Sequence, residues 1–304
     1  MDPPSPILLL EERECLQLFR LLRWRNGVRC PLCRSRRVKR NGHYGIYQRY
    51  LCKACGRSFN DKTGTIFHYS HTRLGVWFLV IHLAFILEKS IRATAKEACL
   101  PYRVCYRMVR SVMGRLYYRT VQVRLRGVVE VDEFYLNAGL KGRAYKSKLG
   151  RPPRCRGLRP PPGRGSYWKD TPLTLCLQQR DGPLVLRPLM DQSPVGVIRS
   201  LVESGSTIYT DDWAAYEGLA SYGYNHETVN HSLGEYVRGE VHVNHDEGVV
   251  SLFKPWLGKH RGVNKRNLPV YEAAFQTVYN MRELSNRGKF WKIMKICVSN
   301  NISH

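Results

Sequence analysis

The sequence predicts an α/β protein in which a mixed-sheet domain follows a small cysteine-rich module and a helical segment. Three observations carry this reading. Two Cys-x-x-Cys pairs stand near the N-terminus, helical patterns follow to about residue 126, and short apolar strand-like runs alternating with helices begin at Gly127. A chain of 304 residues is long enough for two compact domains. With 43% hydrophobic and 11% aromatic residues it can bury a sizeable core, which excludes wholesale disorder.

Charge sets the expected partner. Lys and Arg number 49 against 24 Asp and Glu, a formal excess of 25. Such an excess repels itself in a compact state unless a polyanion offsets it, so nucleic acid is the expected ligand. The excess is uneven: residues 1–126 hold 25 basic and 7 acidic side chains, residues 127–304 hold 24 and 17. The N-terminal start Met-Asp-Pro-Pro-Ser-Pro lacks the basic region of a secretory signal. The longest apolar run, Leu74 to Leu87, has 14 residues with His82 among them, too short to span a bilayer. A cytoplasmic protein with no membrane partner is expected.

The first element is an N-terminal helix with a zinc ribbon, over residues 1–72. Cys30 and Cys33 are separated by 18 residues from Cys52 and Cys55, a spacing that suits one tetrahedral structural zinc held by four thiolates. Tyr44, Ile46 and Tyr50 suggest a hairpin between the knuckles. The ribbon carries Arg29, Arg34, Arg36, Arg37, Lys39, Arg40 and Arg49, a charge suited to gripping phosphates. The six other cysteines lack ligand spacing and read as small core or surface residues.

Residues 73–126 form the second element. Leu74–Glu88 reads as an apolar core helix, and Ser90–Tyr118 as two helices split near Pro101. Arg103, Arg107, Arg110 and Arg115 on the second helix fit a basic recognition helix in a helix-turn-helix.

The third element, residues 127–304, carries the acids. Strands are expected over 127–135, 171–179, 183–190 and 206–211, with helices over 193–204 and 213–221 and another from near His245. Asp181-Gly182-Pro183 marks a hairpin turn. Three adjacent strands, then a helix and a further strand, describe a sheet of the ribonuclease-H type. Asp132 ends Val128-Val-Glu-Val-Asp132, Asp211 ends Ser206-Thr-Ile-Tyr-Thr-Asp211, and Glu247 sits in the first turn of the later helix. Carboxylates gathered this way repel unless divalent cations join them, and such cations serve phosphodiester chemistry. Glu130 shares the strand face of Asp132 and is its rival; Glu133 faces the other way, and Asp212 reads as a helix N-cap. Lys254 follows Glu247 by two helical turns and could steer a phosphate. Between the first two acids, Lys141–Lys169 holds ten basic residues, no acidic ones, five prolines and five glycines. It reads as a basic loop for DNA at the rim of the site.

Several stretches together resemble DDE-type insertion-sequence transposases of bacteria and archaea that carry an N-terminal zinc ribbon. They are Leu21-Leu-Arg-Trp-Arg-Asn-Gly-Val-Arg-Cys-Pro-Leu-Cys33, Thr63-Gly-Thr-Ile-Phe67, Val129-Glu-Val-Asp-Glu133, Tyr209-Thr-Asp-Asp-Trp213, Val229-Asn-His-Ser232, His242-Val-Asn-His-Asp-Glu-Gly248 and Arg261-Gly-Val-Asn-Lys-Arg-Asn-Leu268. The resemblance implies a ribonuclease-H-like catalytic domain, Mg2+ or Mn2+ as cofactor, and Asp132, Asp211 and Glu247 as the metal-binding triad. It makes His231 a further candidate near the site. It implies cleavage and strand transfer at element ends on double-stranded DNA, by a homo-oligomer at the nucleoid. Two other readings differ in class: a zinc-ribbon regulator without enzymatic activity, which leaves the three acids unexplained, and a nuclease that cuts without joining.

Overall fold

The computed structural model describes residues 10–136, 138, 171–190, 192–229 and 244–300, with the backbone alone for residues 229 and 244–247. His231, Cys155 and the basic loop Lys141–Lys169 lie outside the described residues. The chain divides into two compact units, residues 1–116 with 283–304, and residues 117–282.

The first unit opens with helix α1 (Glu12–Arg23), followed by strands β1 (Val38–Tyr44), β2 (Tyr47–Cys52) and β3 (Ser58–Asn60) in one antiparallel sheet. The expected hairpin between the knuckles is β1–β2. Asp61, fully buried, ties ribbon to helix. It accepts from Trp24 Nε1 at 3.0 Å and from the backbone N–H of Gln48 at 3.0 Å, and it faces Arg20 Nε at 3.5 Å. Arg23 donates to the carbonyls of Asp61 and Thr63, and Phe67 stacks edge-on against Phe19 and Trp77. The stretches around Arg23 and Thr63 are therefore two halves of one clamp.

Helix α2 (Leu74–Ile81) has no capping side chain of its own; instead Glu12 accepts from the N–H groups of Leu74 at 2.7 Å and Gly75 at 3.0 Å. A carboxylate at this position satisfies orphan donors and the helix dipole together. The expected single apolar helix changes to a π turn over His82–Ile86. Helices α3 (Ile91–Glu97) and α4 (Tyr102–Thr120) follow, with Ser90 capping α3 through the N–H of Ala93. Helix α8 (Asn286–Val298) returns to this unit from the far end of the sequence. Its Phe290 meets Phe78 at 5.7 Å, and Arg115 of α4 donates to the Ile296 carbonyl, Ser299 Oγ and the Asn300 carbonyl. Arg115, expected on a DNA-facing helix surface, is instead spent on holding the C-terminal segment.

The second unit is a five-stranded mixed sheet. Strands β4 (Val128–Tyr135), β5 (Leu173–Gln179), β6 (Leu184–Leu189), β7 (Thr207–Asp211) and β8 (Asn225–Val229) lie in the order β6-β5-β4-β7-β8. The first three pair antiparallel, and β7 and β8 pair parallel beyond β4. This is the arrangement expected of the ribonuclease-H type. The β5–β6 turn places Asp181 at φ +52°, with the Gln179 N–H donating to the Pro183 carbonyl. On one sheet face, Val129, Val131, Leu175, Leu177 and Val185 form a core with helix α5 (Pro194–Leu201) and Tyr216. Helices α6 (Asn244–Gly258) and α7 (Leu268–Tyr279) contact the sheet through β4, β5 and β6. Gln276 and Asn280 hydrogen-bond the backbone of edge strand β6 at Leu186 and Leu184, occupying donors that would otherwise template aggregation.

One expectation fails after β7. No helix spans 213–221; two short 3₁₀ turns, Ala214–Tyr216 and Ala220–Tyr222, stand there. Glu217 turns extended at ψ 138° and Gly218 follows at φ +89°, a left-handed value that interrupts a helix. No helix among the described residues is long and apolar enough to cross a membrane.

Candidate functional site

The metal centre of the ribbon is built by two matching knuckles. Each closes with a backbone bond to its first cysteine carbonyl, Arg34 N–H to Cys30 and Gly56 N–H to Cys52, at 2.9 and 3.0 Å. The residue after each second cysteine is left-handed, Arg34 at φ +62° and Gly56 at φ +73°. The turns bring four sulfurs together. Cys30 Sγ lies 3.7 Å from Cys55 Sγ, Cys33 Sγ lies 3.5 Å from Cys52 Sγ, and all four lie within 4.8 Å of one another. A tetrahedron with metal–sulfur bonds of about 2.3 Å has edges of about 3.8 Å, so the thiols already stand at zinc-binding separation. The backbone N–H groups of Cys55 and Ala54 point at the Cys52 sulfur and lower its pKa to about 6, which favours the thiolate form a metal needs. Trp24, Tyr50 and Phe59 pack beneath the centre, Tyr50 and Phe59 stacked at 5.2 Å. Arg36, Arg37, Lys39 and Arg40 are exposed on and beside β1.

On α4, Arg103 and Arg107 are exposed and Arg110 is half-buried. Tyr102 and Tyr106 alternate with them, 6.0 Å between ring centroids, and Arg92 of α3 lies over the Tyr102 ring.

The acidic site forms at the ends of β4 and β7. The two strands run parallel with Val128 opposite Thr207, Val129 opposite Ile208 and Glu130 opposite Tyr209. Continued two residues, that offset sets Asp132 level with Asp211 on one face of the sheet. Both are half-buried. The Glu133 N–H donates to Asp132 Oδ1 at 2.8 Å, and the Trp213 N–H donates to Asp211 Oδ1 at 3.2 Å. Asp211 thus takes the turn-capping bond expected of Asp212, which is exposed and precedes a 3₁₀ turn with no side-chain cap. Glu247 lies in the first turn of α6, a helix whose later residues meet β4: Phe253 contacts Phe134 edge-on, and exposed Lys254 sets its ammonium 5.9 Å from the Phe134 ring centre. The Glu247 side chain is outside the described atoms.

The rival acid has a partner. Glu130 is fully buried and accepts from Arg180 Nε at 2.9 Å, and the same guanidinium lies over the Tyr209 ring. Glu133 points to the opposite face, where the buried Tyr216 hydroxyl donates to its Oε2 at 2.6 Å. Burial first, then the charges of Glu133, Asp211 and Asp132, raise the Tyr216 pKa, so the phenol remains a donor. Sequence reasoning missed Tyr216; its place five residues after Asp211 was the available signal.

A family model described as an ISXO2-like transposase domain matches residues 124–280, and one described as a transposase zinc-ribbon domain matches residues 10–58. A protein of Halobacterium salinarum, described as an uncharacterized protein in transposable element ISH50, is 40% identical over 272 residues. The match covers 88% of this chain and 90% of that protein. A crystal structure of a pre-cleavage Mos1 transpososome aligns over 65% of this chain and 77% of that one, with 10% identity and a TM-score of 0.18, too slight a likeness to support any argument.

Proposed function

This chain belongs to the ISXO2-like transposases, and we propose that it binds the ends of an insertion sequence, cleaves there and joins those ends to target DNA. What supports the mechanistic part is the parallel register of β4 and β7, paired as far as Glu130–Tyr209, which when continued two residues brings Asp132 level with Asp211. With Glu247 at the start of α6, these three carboxylates form the catalytic triad. An all-oxygen, anionic donor set suits Mg2+ or Mn2+ rather than zinc. Such ions, when bound, supply an activated hydroxyl nucleophile and a stabilised leaving oxygen. The protein's own task is to hold the acids in place and to bring the phosphodiester to them.

Positive side chains do the bringing. Lys254, exposed two turns along α6, steers a phosphate toward the acids, and His231 is the further catalytic candidate that the family resemblance implies. The ribbon residues Arg36, Arg37, Lys39 and Arg40 hold the duplex backbone of an element end. Arg103, Arg107 and Arg110 place α4 against the same double-stranded DNA as the second helix of a helix-turn-helix. Pairing of two ends calls for a homo-oligomer on DNA at the nucleoid.

The test is joining of a labelled element end to plasmid DNA with Mg2+ or Mn2+. Asp132→Asn, Asp211→Asn and Glu247→Gln should each abolish cleavage and joining while end binding persists, because an amide keeps the shape and loses the charge. Asp212→Asn should stay active, since Asp212 is exposed and the turn after it has no side-chain cap. Full joining by all three triad variants would overturn the mechanism. Cleavage with no joining on paired ends would leave a nuclease.

A further inference from the structure

We propose that Tyr216 and Glu133 are a positioning pair that holds Asp132 and Asp211 at metal-binding separation. The inference rests on the triad reading above and extends it to two residues that would touch no substrate.

The problem such a pair answers is visible in the sheet. The paired register of β4 and β7 runs from Val128–Thr207 to Glu130–Tyr209 and stops two residues short of the aspartates. Beyond that point two like charges face each other across adjacent strand ends, and their repulsion favours splaying. The Tyr216–Glu133 hydrogen bond joins the two chains there. Glu133 directly follows Asp132, and Tyr216 closes the 3₁₀ turn that follows Asp211. A closed circuit results: Asp132 Oδ1 accepts from the Glu133 N–H, Glu133 Oε2 accepts from the Tyr216 hydroxyl, and the Tyr216 ring stands perpendicular to Trp213 at 5.5 Å. The Trp213 N–H then donates to Asp211 Oδ1. Alternation of the strand puts the linking bond on the face away from the aspartates, so it can brace them without occupying the metal's space. Tyr216 is 1% exposed and set in the core with Leu219 and Val131, which gives the brace a rigid anchor.

The experiment titrates Mn2+ into the full chain without DNA, read by electron paramagnetic resonance, alongside thermal unfolding of the metal-free protein. Tyr216→Phe keeps the buried ring and removes only the donor; Glu133→Ala removes the acceptor. Each should weaken Mn2+ binding about 10–100-fold, the usual effect of losing a group that orients a metal ligand. The double variant should be no weaker than either single one. Glu133→Gln retains an acceptor oxygen for the phenol and should bind Mn2+ within a few-fold of the unaltered chain. Unchanged Mn2+ affinity in Tyr216→Phe, whatever its melting temperature, overturns the pair as a positioning device. A loss in Glu133→Gln as deep as that in Asp132→Asn also overturns it, since Glu133 would then be a ligand itself. The triad reading fails separately, if Asp132→Asn binds Mn2+ as the unaltered chain does.

Discussion

Thr174 of β5 donates its hydroxyl to Glu272 Oε1 of α7 at 2.7 Å, in a place where the carboxyl is wholly buried. Burial raises the Glu272 pKa from 4.5 to about 8, against the smaller lowering effects of the Thr174 bond and Arg187. The folded state therefore keeps a proton that the unfolded chain gives up above about pH 4.5. The stability this contributes is complete below that pH, declines as pH rises toward about 8, and changes no further beyond it. Glu272→Gln, which mimics the protonated form, should flatten the decline and stabilise the sheet unit at pH 8 by a few kcal/mol. Urea unfolding at pH 5 and pH 8 checks this. Parallel pH profiles for the two proteins would refute it.

The ribbon should carry zinc and depend on it. Metal analysis is expected to find about one zinc per chain, and a chelator should unfold the ribbon while leaving the sheet unit intact. Cys30→Ser and Cys52→Ser, at the two fully buried ligands, should lose the ion and the fold of residues 30–60 together. Loss of zinc with no change in stability would speak against a structural metal.

DNA binding by the full chain should weaken steeply with salt. If six to ten phosphates are contacted, affinity falls roughly 10³–10⁵-fold between about 50 and 200 mM salt. Arg37→Ala and Arg40→Ala, exposed on the ribbon, should weaken element ends and random duplex alike and lower the salt slope by about one each. Arg103→Ala on α4 should reduce the preference for element ends. A flat salt response removes the electrostatic argument, and an unaltered preference in Arg103→Ala removes the helix-turn-helix one.

The C-terminal helix belongs to the first unit, and its removal should be felt there. Phe290 is fully buried against Phe78, so Phe290→Ala should destabilise that unit by about 3–5 kcal/mol. Two-step urea unfolding should show the transition of the first unit shifted and that of the sheet unit unmoved. A shift in the second transition alone would contradict the division. A fragment ending at residue 126 should accordingly fold poorly.

What the sequence revealed follows from how local each signal is. The four zinc ligands are read from spacing, because a knuckle is complete within six residues. Asp132 and Asp211 are readable because apolar runs lead directly into them. Strand β8 was missed: Asn-His-Glu-Thr-Val has no apolar alternation, and its partner β7 lies outside any local window. The stretch after Asp211 looked helical because acids precede an apolar run, and extended Glu217 with left-handed Gly218 decides otherwise. The roles of Glu12, Arg23 and Asp61 gave no local signal, since charged residues normally face water and these bond partners such as Gly75, Thr63 and Trp24 that lie 63, 40 and 37 positions away. The domain boundary expected at 126 stands ten residues past the division, and nothing local marks residues 283–304 as partners of the first unit.

That return of α8 sets a timetable for synthesis. The helical core around Phe78 and Arg115 waits for a segment encoded more than half a chain later. At about 5–20 residues per second, Val298 is made roughly 10–40 s after Leu116. During that interval the sheet unit can fold whole, while α2 and α4 lack the surface that closes over them. Limited proteolysis of stalled nascent chains should find the α2–α4 region labile until Val298 has emerged. A nascent copy thus has all of its sheet unit available to fold before the last helix of its N-terminal unit has been made.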